Sequence, residues 1–169
     1  MLIPRLAAAF LLLLTLAVPG LATEPDVRQA VQAIEEEWAR IFYQLPADRQ
    51  AVKLIPLLPR LEALAAHYPR AADPLIMESL VLCSLAAAEG GFKALKRVDR
   101  ARELLVKSLA LDPLAMDASA HITLGNLYYR LPGWPISFGD DEAAEEHLTA
   151  ALKQFPEALD ANYFYGDFL

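Results

Sequence analysis

Apolar residues along this chain recur at helical spacing. Val27, Val31, Ile34, Trp38 and Ile41 form one stripe, and Glu35, Glu36, Glu37 and Arg40 fall largely off it. That spacing predicts an amphipathic helix. Pro25 stands near its first position, and Thr23 or Asp26 is placed to cap it. Leucine and alanine dominate the rest of the chain, with almost no alternating, β-branched run that would read as a strand. The pattern predicts helices near 24–44, 47–67, 73–89, 93–111, 117–130, 140–154 and from 159 onward. Pro56 and Pro59 interrupt the second, so it kinks or begins its main part near Pro56, because an interior proline costs about 3 kcal/mol. The fold class is all-α.

Punctuation repeats along the chain. "HYPRAADP", "LDPLAMD" and "QFPEALD" each hold a proline (Pro69, Pro113, Pro156) followed four residues later by an aspartate (Asp73, Asp117, Asp160). The prolines are 44 and 43 residues apart. Each ends a leucine- and alanine-rich helix, and each aspartate is placed to cap the next. Twelve, eight and five residues before the prolines stand Leu57, Leu61 and Leu64; Ala101, Leu105 and Ser108; and Ala144, Leu148 and Ala151. Small or apolar residues at matched offsets let one helix pack closely on another, which predicts an internal repeat of helix pairs.

With Leu124, Gly125 and Tyr128 ahead of Ala144, Leu148, Ala151 and Pro156, the second unit resembles the tetratricopeptide repeat. The resemblance covers roughly residues 57–169 and is weaker in the first unit, where Val81 and Ser84 replace the glycine and tyrosine. It implies a right-handed stack of antiparallel helix hairpins. The period exceeds the family's usual length of about 34 residues. The excess lies inside the pairs: Tyr128 and Ala144 are 16 positions apart where the family pattern has nine. The wording from Leu127 to Leu169 is also similar to small exported bacterial proteins of this type. That group resembles the T component of TRAP transporters, which implies a periplasmic solute-binding protein as partner.

Composition narrows the function classes. Residues 1–22 carry one charge, Arg5, then an apolar run from Leu6 to Val18 and a Pro19-Gly20 break, the layout of a secretory signal peptide. Export, most simply to the periplasm, is expected, leaving residues 23–169 as one domain with no membrane span after cleavage. The net charge of −7 gives no electrostatic case for nucleic acid or an anionic membrane surface. Cys83 is the only cysteine, in an apolar run where it reads as a small hydrophobe. The segment 93–107 has six basic residues against Asp99 and Glu103, a solvated face or a docking patch for an acidic partner.

The connection "RLPGWPISFGDD" (residues 130–141) is unlike a plain turn. Gly133 and Gly139 permit unusual backbone, Pro132 and Pro135 stiffen it, and Asp140 is a helix cap. Trp134, Ile136 and Phe138 either fold back as a lid on their own helix pair or face a ligand or partner; one ring inward and one outward satisfies both. Tyr128, Tyr129, Trp134 and Phe138 are the candidate contact residues, joined by Tyr163 and Tyr165 near the chain end. The last helix carries aromatic residues around much of its circumference. Either the chain continues past Leu169, or that face packs on the preceding pair, or it is an interface.

No catalytic arrangement emerges. His67, His121 and His147 sit in three different units and lack metal-ligand spacing, the Gly90-Gly91 pair stands alone, and no Gly-x-Ser-x-Gly element occurs. A binding protein without cofactor or metal is expected rather than an enzyme, its oligomeric state open. A carrier of a small apolar ligand, or a general envelope-assembly factor, is the alternative.

Overall fold

The computed structural model describes residues 24–169. The leader expected over residues 1–22, and Thr23, lie outside them. Every regular element among the described residues is a helix. In chain order they are α1 (Glu24–Gln44), α2 (Ala47–Leu54), α3 (Leu57–His67), α4 (Asp73–Glu89), α5 (Gly91–Leu111), α6 (Ala115–Arg130), α7 (Asp141–Gln154) and α8 (Leu159–Phe168). None is long and apolar enough to cross a membrane.

The sequence of α4 explains its place. Leu75, Ile76, Met77, Val81, Leu82, Leu85 and Ala86 point in all directions around it and all are buried. A helix apolar on every side must be surrounded. Accordingly α1, α2, α3, α5 and α6 all pack against it. Val27, Val31, Ile34 and Ile41, the stripe on α1, are buried in a cluster with Leu54, Leu57, Leu61, Met77, Val81 and Leu85. Pro56 separates α2 from α3, as expected for a residue with no N–H to donate.

The tightest pairings are α4 with α5 and α6 with α7; α6 also touches α4, and α8 packs on α6 and α7. Small residues permit the approach. Ser79 is fully buried and its hydroxyl donates to the Leu75 carbonyl and, across the pair, to that of Ala101. Of the nine positions counted back from the three prolines, eight are buried, and Leu64 is half-buried.

The aspartates after those prolines do not cap. Asp73 is already the first residue of α4, whose N-cap is Ala72, and Asp160 lies inside α8 behind N-cap Ala158. Neither N-cap makes a side-chain hydrogen bond. The helices start one or two residues early, so these carboxylates favour the positive end of the helix from its first turn instead. Asp117 lies in a left-handed stretch, Met116 to Ala118 with φ of 50°, 55° and 60°, and the right-handed part of α6 follows it. Three consecutive non-glycine residues in that region are strained.

One buried charge opposes the fold. Glu78 is 4% exposed on α4. Burial raises its pKa, Arg100 and Lys107 lower it, Glu62 raises it, and the net shift is upward. The folded state therefore holds the proton to higher pH than the unfolded chain does. Stability is lost as pH rises from the ordinary carboxylate range through the folded value. Glu78→Gln is expected to raise the Tm at pH 7 and to leave it unchanged near pH 4, as read by calorimetry at both pH values.

Candidate partner-binding surface

The turn from Leu131 to Asp140 is an ordered structure held by its own backbone. The Gly139 N–H donates to the Pro132 carbonyl (3.0 Å), and those of Ile136 and Ser137 to the Gly133 carbonyl (3.2 and 3.3 Å). The Asp140 N–H donates to the Tyr128 carbonyl on α6 (2.9 Å), closing the connection. Asp140 Oδ1 accepts from the N–H groups of Glu142 and Ala143, so the cap expected for α7 forms. The Trp134–Pro135 bond is cis.

Within this frame the two large rings part. Phe138 turns inward, its ring edge-on to Tyr128 (centroids 5.5 Å apart, 81°), with the Arg102 guanidinium of α5 lying 4.4 Å from its centroid. Trp134 turns outward and is 90% exposed, with Ile136 beside it in the chain at 66%. Neither lid nor ligand face describes the whole turn: Phe138 anchors it, and Trp134 is presented to solvent.

The other expected contact residues divide similarly. Tyr128 is half-buried between Phe138 and His147. Tyr129 ties α6 to the end of α8: its ring meets Phe168 edge-on, its hydroxyl donates to the Asp167 carbonyl, and Arg130 beside it pairs with the Asp167 carboxylate. Tyr165 is half-buried, whereas Tyr163 is 61% exposed, edge-on to Phe164. The structure thus joins Tyr128 with Phe138 and Tyr129 with Phe168, while Trp134 makes no ring contact among the described residues. No protein-family model and no curated protein matches this chain. Its own surfaces are what speak to function.

Three features were not anticipated from the sequence. Trp38, Phe42 and Tyr43 form an aromatic group on α1, Trp38 stacked on Phe42 (5.4 Å) with Tyr43 edge-on to both, and the Trp38 indole N–H donates to Ser84 Oγ (2.9 Å). The i, i+4 spacing of Trp38 and Phe42 carried that signal, hidden by assigning Trp38 to the core stripe. Second, a cleft of about 460 Å³ opens between α1 and the starts of α6 and α8. Glu35, Asp117 and Asp160 line it together with Met116, Ile122 and Leu159. Burial, and secondarily Glu36, raises the Glu35 pKa. Third, His121 on α6 and His147 on α7 meet with their Nδ1 atoms 2.9 Å apart. His67, against Tyr68 at the end of α3, takes no part.

The remaining candidates are accounted for by packing. Burial pushes the Cys83 thiol up to about 12, so it is no nucleophile at neutral pH. On the basic segment, Arg97 makes a two-pronged pair with Glu89 (2.7 and 2.9 Å), Arg100 pairs with Glu103, and Arg102 covers Phe138. Much of that face is thus engaged within the chain.

Proposed function

We propose that the protein is an exported helical-repeat scaffold of tetratricopeptide type that binds a partner protein through the 131–140 turn. In this reading α4–α5 and α6–α7 are successive hairpins of a right-handed stack, and α8 opens the next. The contacts of α4 with α6 and of α6 with α8 support it, since first helices of adjacent repeats are neighbours in such arrays. The signal-peptide layout of residues 1–22 supports export to the periplasm. The partner suggested by the wording of residues 127–169 is the solute-binding protein of a TRAP-type transporter.

The observation that carries the reading is Trp134, 90% exposed on a turn whose backbone is hydrogen-bonded and anchored by Phe138. An exposed indole on a preorganised support loses little entropy when a partner covers it, and tryptophan is prominent among residues that dominate interfaces. The acidic lining of the 460 Å³ cleft disfavours the alternative of an apolar-ligand carrier.

The test uses purified TRAP solute-binding protein from the same organism. Trp134→Ala is expected to weaken binding by about 30-fold, the loss of an interface residue worth about 2 kcal/mol. Its Tm should stay at the wild-type value, because the side chain is already in water. A Tm drop of several degrees would make Trp134 a packing residue, and unchanged affinity would remove the turn from the interface. No binding by the wild type would dismiss this partner.

A further inference from the structure

The His121–His147 contact joins the two helices of one hairpin across 26 residues of chain. Ring contacts lead from it to the turn. The His147 ring stacks on Tyr128 (5.7 Å, 6°), Tyr128 meets Phe138 edge-on, and Arg102 covers Phe138. The Tyr128 carbonyl also receives the Asp140 N–H that closes the turn.

A contact of 2.9 Å between two imidazole nitrogens has room for one hydrogen. Neutral, one Nδ1 donates and the other accepts. A first added proton goes to the outer nitrogen of the donor ring and leaves the bond intact. A second puts N–H groups on both facing nitrogens and two positive charges side by side, and the bond cannot survive. We propose that this pair is an acid-released latch: with one hydrogen shared it holds α6 to α7 and keeps the 131–140 turn ordered, and the second added proton opens it.

The surroundings fit such a device. Burial lowers the pKa of both rings, and His121 lowers that of His147 further. Glu146, on α7, pulls both back toward the charged form without reversing the shift. Several charged groups on the neighbouring elements are engaged elsewhere. On α4, Glu89 pairs with Arg97, and Glu78 acts among Arg100, Lys107 and Glu62. Arg102 of α5 covers Phe138, Asp140 caps α7, and on α8 Asp167 pairs with Arg130 while Asp160 lines the cleft. An unfolded histidine takes its proton near pH 6.5, above the folded values here. The latch is therefore fully stabilising above about pH 6.5 and is lost as pH falls through the folded values.

Hydrogen–deuterium exchange of the whole chain at pH 7.5 and at steps down to pH 4.5, corrected for intrinsic exchange chemistry, tests this without any partner. Acid is expected to speed exchange of the Gly139 and Asp140 amides by about tenfold in the wild type. His121→Asn keeps a hydrogen-bonding side chain that does not titrate, and it should abolish the acid response; His147→Asn is the second variant should the first fold poorly. His67→Asn should respond as the wild type does. An acid response equal in all four proteins, or none in the wild type, overturns the latch and leaves the Trp134 test untouched.

Discussion

Leu148→Ala should lower stability by about 2–5 kcal/mol, the range for removing a buried leucine from a well-packed site. Leu148 is fully buried on α7, facing Gly125 on α6. A Cβ on Gly125 would lie 2.5 Å from Leu148 Cγ, 2.9 Å from its Cδ2 and 3.1 Å from the Ala144 carbonyl oxygen. Gly125→Ala alone is therefore expected to cost about 1–3 kcal/mol through overpacking. The double variant is the sharper measurement. Its added methyl enters the space the leucine vacates, so the combined loss should fall short of the sum by about 0.5 kcal/mol or more. Urea unfolding of the four proteins gives the cycle. Strict additivity would mean that α6 and α7 do not meet through this glycine.

Gly139→Ala should be the most damaging small change in the turn. An added Cβ would lie 1.9 Å from the Leu131 carbonyl oxygen and under 3 Å from the carbonyl carbons of Leu131 and Pro132. Those are backbone atoms, so no rotamer change relieves the overlap and the turn itself must move. The movement disturbs the Gly139–Pro132 hydrogen bond and displaces Asp140, whose capping of α7 is by itself worth about 1 kcal/mol. The expected stability loss is about 2–3 kcal/mol, or a Tm lower by roughly 4–12 °C for a chain this size. On the proposed reading, partner binding should fall with it, because Trp134 loses its support. Trp134→Ala should, on the same reading, reduce binding alone, so the pair of variants separates the support from the contact it presents. A Gly139→Ala protein with wild-type Tm would show that the turn is not held as described.

The helices were legible because their causes are local. The stripe on α1, the break at Pro56 and the matched offsets before Pro69, Pro113 and Pro156 follow from 3.6 residues per turn and from the missing N–H of proline. Helix starts were less legible. Asp73 and Asp160 read as caps because aspartate commonly caps, yet α4 and α8 start one or two residues earlier, behind Ala72 and Ala158. The left-handed stretch at Met116–Ala118 left no signal, since no glycine marks it.

By itself, the sequence determined an all-α chain, its helix limits to within a few residues, the small residues that let helices approach, and a turn too rich in aromatic residues to be a plain connection. Only the tertiary structure decided that Phe138 anchors this turn while Trp134 faces water, that Tyr129 braces α8, and that two histidines 26 residues apart share a hydrogen bond. The reason is physical. Spacing along the chain sets which side chains share a face, whereas exposure, contact and protonation depend on what other segments bring to that face.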